Sequence, residues 1–162
     1  MENNEKVRVL MVCLGNICRS PMAHGVFQNL VQESGLADRV EVDSAGTAAF
    51  HVGKAPDPRA QETARQHRID IGGQRARQVD AADFEAFDYV LAMDADNHAV
   101  LAALCPPGQE GKLRLFLEFA EGMPEREVPD PYYGGGAGFQ RAFDLIEAAS
   151  RGLLEEIRRH RL

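Results

Sequence analysis

Cys13 and Arg19 stand at the two ends of the run Cys13-Leu14-Gly15-Asn16-Ile17-Cys18-Arg19, and Ser20-Pro21 follows at once. A thiol at one end of such a loop can attack an electrophile, while a guanidinium at the other can hold two oxygens of an anion in its planar fork. Before the loop, Val7, Val9, Leu10, Met11 and Val12 suit a strand buried on both faces; after it, Ser20 is placed to cap a helix that Pro21 begins. A loop between a strand end and a helix start turns successive N–H groups inward, beside the partial positive charge of the helix N-terminus. Anions bind there, and the field favours a thiolate over a thiol. Gly15, free to take positive φ, and Asn16, which tolerates it, fit a tight turn. Taken singly, a buried Cys is usually a small hydrophobe and an Arg at a helix start is usually solvated. Taken together, they read as a phosphate site with a nucleophile. The Gly-Lys-Ser/Thr ending of a nucleotide-binding loop is missing, and no Gly-x-Gly-x-x-Gly follows the strand.

Displacing an alkoxide or phenoxide from phosphorus calls for an acid. A tyrosine leaving group has a pKa near 10, so expelling it unprotonated at about pH 6 forgoes roughly 4 units, or about 5 kcal/mol. Asp130, in Val128-Pro129-Asp130-Pro131-Tyr132-Tyr133-Gly134, is the best candidate, because its flanking prolines stiffen the loop that carries it. Asp94, after the apolar run 89–93, ranks second, since a carboxylate at a strand end facing an anion site is often a structural acceptor. Asp57-Pro58 reads as a helix start. Tyr132 and Tyr133 beside the acid, with Phe50 in the loop after the second strand, suit an aromatic cleft for a flat side chain.

These groups need a frame. Strands are expected at residues 7–12, 40–45, 89–93 and 113–119, and helices at 22–33, 58–68, 81–87, 95–104 and 139–158. Residues 77–79 suit a short extended piece, and the stretch before residue 138 is rich in Pro and Gly. Alternating strands and helices imply an α/β fold of three layers, a four-stranded parallel sheet flanked by helices, with the phosphate-binding loop after strand 1. The 162 residues suit a single domain spanning 1–162. A net charge of −7 argues against nucleic acid as partner. No stretch has the apolar length of a membrane span, and the polar start of the chain leaves no room for a signal peptide, so a cytoplasmic location is expected. Three cysteines do not make a disulfide framework, although Cys13 and Cys18 lie close enough in sequence for a reversible pair, and Cys105 reads as inert. The five histidines are scattered without zinc spacing, and neither a metal nor another cofactor is implied.

The loop from Cys13 to Pro21, together with Asp130-Pro131-Tyr132-Tyr133, resembles the low-molecular-weight protein tyrosine phosphatases. The similarity continues through Asp43-Ser44-Ala45-Gly46-Thr47, Pro56-Asp57-Pro58-Arg59, Ala76-Arg77-Gln78 and the run from Phe87 to Asp94, nearly the whole chain. It implies a metal-independent protein-tyrosine-phosphate phosphohydrolase. Cys13 attacks phosphorus to form a cysteinyl-phosphate, and Arg19 holds the equatorial oxygens. Asp130 protonates the phenol and then activates water, so that inorganic phosphate leaves. By the same resemblance, Leu14, Gly15, Asn16, Ile17, Cys18 and Ser20 hold the phosphate. Phe50, Tyr132 and Tyr133 meet the ring of a phosphotyrosine-containing protein. Asn16 takes a left-handed conformation held by Ser20 and Ser44, and Cys18 pairs with Cys13 under oxidation. The chain departs from the family at Gln74, where a histidine often stands, and at Phe50, where Trp or Tyr is usual. Two rival enzymes share the loop. Arsenate reductases relay electrons through a further cysteine pair, whereas only Cys105 remains here, and protein arginine phosphatases tend to carry Thr at the place of Ile17. A phosphopeptide-binding module without turnover is the rival from another class, and the retention of Cys13, Arg19 and Asp130 together argues against it.

Overall fold

The computed structural model describes residues 6–132 and 136–162. Four strands, β1 (Val7–Cys13), β2 (Val40–Gly46), β3 (Tyr89–Ala92) and β4 (Leu113–Leu115), form one parallel sheet in the order β2-β1-β3-β4. Helices α1 (Arg19–Glu33), α2 (Pro58–Gln66), α3 (Asp83–Ala86), α4 (Ala95–Leu104) and α5 (Gly136–His160) cover it. The period of two along β1 divides the core. Val7, Val9, Met11 and Cys13 face a cluster built with α1 and α5, including Phe27, Phe139, Phe143 and Ile146. Leu10 and Val12 face the opposite layer with Phe84, Val90 and Leu101.

The topology decides where chemistry is possible. From β1 the chain moves outward to β2, then returns across β1 to β3 on its other side. The loops that leave β1 and β3 therefore diverge, and a crevice opens beyond the carboxyl ends of these two neighbours. Cys13 ends β1, and Asp94 follows β3 by two residues.

Several elements differ from the sequence expectation, each for a local reason. Helix α1 begins at Arg19, not Pro21, and Ser20 is not its cap, because the Ser20 hydroxyl is engaged with the phosphate loop. Strand β4 stops at Leu115, where Glu118 accepts a hydrogen bond from the Leu115 amide at 2.9 Å and the chain closes into a 3-10 turn, Phe116–Phe119. Phe116, Leu117 and Phe119 are all buried, which a strand of period two cannot arrange. Helix α5 starts inside the Gly-rich stretch, since burial of Phe139, Phe143 and Ile146 outweighs the low helix propensity of glycine. The Phe119 carbonyl approaches α5 so closely at Gly152 that an added Cβ would lie 1.6 Å from its oxygen. As expected, Asp57 caps α2 by accepting from the Arg59 amide, α4 spans Ala95–Leu104, and the extended piece at 77–79 survives as one parallel bridge between Gln78 and Gly46.

Candidate active site

Between β1 and α1 the backbone has one constrained residue, Asn16, at φ 57°. Asn and Gly are the residue types that visit this left-handed region routinely, and Asn16 does so with every polar atom of its side chain committed. Its Nδ2 donates to Ser20 Oγ at 2.8 Å and to Ser44 Oγ at 3.0 Å, and its Oδ1 accepts from the Arg77 amide at 3.0 Å. Gly15 does not adopt positive φ, contrary to expectation. Its small size matters instead, because an added Cβ would sit 2.9 Å from Cδ2 of His51. At Gly46 a Cβ would stand 2.8 Å from the Leu14 carbonyl oxygen and 3.1 Å from the Asn16 amide, so β2 packs directly under the loop.

The loop's carbonyls point away from the crevice. The amides of Thr47, Ala48 and Asp57 donate to the carbonyls of Cys13, Leu14 and Ile17 at 2.8 to 2.9 Å. Among the described residues, the amides of 15–18 find no backbone acceptor, which leaves them available to an anion. Ser20 Oγ lies 3.1 Å from Cys13 Sγ. Ser20 Oγ accepts from Asn16 and also reaches the Ala45 carbonyl at 3.3 Å, so its one hydrogen is shared between that carbonyl and the sulfur. The network extends to Gln74, which accepts from Ser44 Oγ at 3.3 Å and donates to the Pro21 carbonyl at 3.0 Å. An amide thus supplies both hydrogen-bonding directions at this position without carrying charge.

Arg19 is 2% exposed, yet it keeps its charge. Burial alone would lower its pKa; the Cys13 sulfur and the Asp94 carboxylate outweigh that, and the net shift is upward. Its Nη1 donates to Asp94 Oδ2 at 2.6 Å and to the Val128 carbonyl at 2.9 Å. Asp94 uses its other oxygen to cap α4 through the Asn97 amide, which makes it an acceptor that orients Arg19. The guanidinium edge that remains is the informative one. Nε is buried and has no hydrogen-bond partner among the described residues, and Nη2 stands 3.5 Å from Asp130 Oδ2. A buried donor without an acceptor is costly unless a ligand supplies one.

Cys13, Leu14, Gly15, Ile17, Cys18, Arg19, Phe50, His51, Asp130 and Tyr132 line a cavity of about 80 Å³. Asp130 accepts from the Tyr132 amide at 3.0 Å in a turn at the cavity mouth. Phe50, which lines the same cavity, is 74% exposed. Tyr133 lies outside the described residues. His51 is the residue that sequence reasoning missed: its ring packs over Gly15 and stands 6.4 Å from Phe50 and 6.3 Å from Tyr132, centroid to centroid. The only local signal for it was its place beside Phe50. Cys18 is a free thiol inside the cavity wall, and burial, helped by the Asp57 charge, pushes its pKa upward, so it is protonated at neutral pH.

The profile of the low molecular weight phosphotyrosine protein phosphatases matches residues 8–162. The chain belongs to that family. Among phosphatases of this type, the low molecular weight phosphotyrosine protein phosphatase of Schizosaccharomyces pombe is 42% identical over 154 residues, covering 94% of this chain and 98% of its own length. YfkJ from Bacillus subtilis superposes with a TM-score of 0.94 at 36% identity, covering 99% of this chain and all of that one. The protein tyrosine phosphatase of Entamoeba histolytica, crystallised with Hepes in the active site, gives a TM-score of 0.93 at 37% identity over 97% of this chain and all of that one. The α/β architecture expected from the sequence is that of these phosphatases, and the chain is a protein tyrosine phosphatase, a phosphomonoester hydrolase.

Proposed function

We propose that the chain removes phosphate from tyrosine side chains of proteins in two metal-independent steps carried by Cys13, Arg19 and Asp130. The observation that supports this most directly is the committed and uncommitted edges of Arg19. Its Nη1 is tied to Asp94 and Val128, while the buried Nε has no partner among the described residues, and Arg19 lines the same cavity as Cys13. A phosphoryl group set there meets the amides of 15–18 and the Nε–Nη2 edge of the fork, a geometry that suits three equatorial oxygens spreading charge in the transition state. Cys13 Sγ attacks phosphorus from below. Asp130, next to Nη2 at the mouth, gives its proton to the departing phenolic oxygen. The same carboxylate then takes a proton from the water that opens the cysteinyl-phosphate, inorganic phosphate leaves, and Ser20 Oγ stabilises the returning thiolate.

Phe50 and Tyr132 flank the entrance, where an aromatic ring bearing the phosphate would lie. All three cysteines are free, which suits a reducing compartment, and we place the enzyme in the cytoplasm. Among the described residues, no helix is long and apolar enough to cross a membrane. Cys18 lines the same cavity as Cys13, which supports reading it as a reversible disulfide partner that would spare Cys13 from irreversible oxidation.

The deciding experiment is turnover of aryl phosphates by Cys13→Ser with and without a chelator. Loss of at least ~10⁴-fold is expected for the variant, on the scale that removal of a nucleophile costs a hydrolase. Wild-type activity should be indifferent to chelation. Retained activity in the variant, or chelator-sensitive activity in the wild type, removes the mechanism.

A further inference from the structure

Arg59, in the first turn of α2, is 44% exposed and outside the cavity lining, yet it touches both halves of the site. On one side, Asp57 accepts from the Arg59 amide at 2.8 Å, from Nε at 3.0 Å and from Nη2 at 2.9 Å, a two-pronged pairing that fixes the guanidinium plane. These hydrogen bonds hold the Asp57 carboxyl below its ordinary range, so the pair stays ionised throughout the working pH. The Asp57 amide in turn donates to the Ile17 carbonyl of the phosphate loop at 2.8 Å. On the other side, the guanidinium carbon lies 5.4 Å from the centroid of the Tyr132 ring and 4.8 Å from that of Phe139 in α5. Both distances are those of a cation over an aromatic face. Tyr132 is the residue whose amide holds the Asp130 carboxylate. An unbroken path of contacts runs from Ile17 through Asp57, Arg59 and Tyr132 to Asp130.

We propose that Arg59 is a positioning residue for the leaving-group acid: its guanidinium, aligned by Asp57, is the platform on which Tyr132 packs, and so sets the Asp130 carboxyl over the phosphate loop. This rests on the assignment of Asp130 as the acid. The prolines on either side of Asp130 restrict its backbone, but they do not tie the turn to the loop it must serve. Arg59 does so with a guanidinium that pairs with Asp57 through two nitrogens and reaches the Tyr132 ring at the same time, a combination that lysine cannot reproduce. The consequence is selective. A displaced acid slows only substrates whose leaving group needs a proton.

The test measures kcat/KM on phenyl phosphate, a poor leaving group, and 4-nitrophenyl phosphate, a good one, for wild type, Arg59→Met, Arg59→Lys and Asp130→Asn. Arg59→Met is expected to lose about tenfold on phenyl phosphate, part of the 10²–10⁴ that a general acid supplies, and less than about twofold on 4-nitrophenyl phosphate. Arg59→Lys keeps the charge opposite Asp57 and so folds, and should show the same selectivity at smaller amplitude. If Arg59→Met does not fold, Arg59→Lys decides. Equal losses on both substrates, or wild-type behaviour of Arg59→Lys on phenyl phosphate, overturn the proposal. Asp130→Asn separates the two levels. Selective loss there without selectivity at Arg59 refutes the platform alone, whereas unselective loss at Asp130 refutes the acid assignment and the platform with it.

Discussion

The phosphate loop and the acid turn face each other across one cavity and are built on opposite plans. In the loop Cys13, Asn16, Arg19 and Ser20 are all buried, and the Asn16 side chain uses both its amide hydrogens and its carbonyl. The acid turn is open: the Asp130 side chain is 32% exposed, Tyr132 is 37% exposed, and the hydrogen bond between them closes the turn on itself. The contrast follows from the two tasks. Charge that develops on the phosphoryl oxygens is the same for every substrate, so donors fixed in advance serve it best. The leaving group differs between substrates and arrives from solvent, so the acid must stay accessible. Damage to the loop should therefore cost activity and stability together, and damage to the acid turn should cost activity alone.

Arg19→Lys should separate the two plans most widely. A lysine cannot bridge Asp94, the Val128 carbonyl and a phosphoryl oxygen at once, because its donors radiate from one point. We expect kcat/KM to fall by about 10³-fold, as when preorganised donors are removed from an oxyanion site. The urea midpoint should fall as well, since Asp94 and Val128 lose a matched donor in a buried place. A variant within tenfold of wild type and equally stable would show that the loop is not the rigid partner.

Asp130→Ala is the complementary case. Loss of about 10²-fold or more is expected on phenyl phosphate and far less on 4-nitrophenyl phosphate. Stability should stay within about 0.5 kcal/mol, the usual range for an exposed substitution. A midpoint shift as large as that of Arg19→Lys would erase the distinction between the two regions.

The same contrast explains what was legible in the sequence. The strand, loop and helix around Cys13 lie within one short stretch, and their pattern states both the local geometry and the chemistry. The turn that carries Asp130 to the cavity was legible because prolines flank it. Other features were hidden because topology creates them. Asp94 meets Arg19 across 75 positions only because β3 pairs beside β1, and His51 reaches Gly15 only because β2 packs on the other side. Ser20 misled for a related reason: its hydroxyl fits a helix cap locally, and a partner 28 residues from Asn16, Ser44, completes the network that claims it instead. In β4 the tertiary packing of Phe116, Leu117 and Phe119 overrode an apolar run that reads as a longer strand.

Asn16 tests whether loop rigidity comes from backbone conformation or from side-chain bonding. Asn16→Gly keeps access to φ 57° and loses the three hydrogen bonds, whereas Asn16→Ala loses both. We expect the alanine variant to be destabilised by about 2–3 kcal/mol and the glycine variant by about 1 kcal/mol less, measured by urea unfolding. Both should slow good and poor leaving groups alike. Selectivity between the two substrates would mean that Asn16 acts on the acid turn, and the two-plan description would fail.

The smallest effect concerns pH, and it belongs to the loop side. His24 lies one helical turn after Ser20 on α1. Its Nδ1 is buried without a hydrogen-bond partner among the described residues, and burial holds its pKa below the ordinary 6.5 even though Asp43 and Gln74 pull the other way. The unfolded chain therefore binds a proton at a pH where the folded chain does not. Stability is complete above about pH 6.5 and declines as pH falls through the lowered folded value, levelling off below it. Urea midpoints measured between about pH 7.5 and pH 5 should show this slope in the wild type. Asp130→Ala should retain it, because the charge that acts on His24 is that of Asp43, not Asp130. His24→Gln should flatten it, since an amide fills the same space and does not titrate. If His24→Gln leaves the slope intact while Asp130→Ala flattens it, acid sensitivity resides in the open turn, and the packed loop loses its place as the region where folding and catalysis are joined.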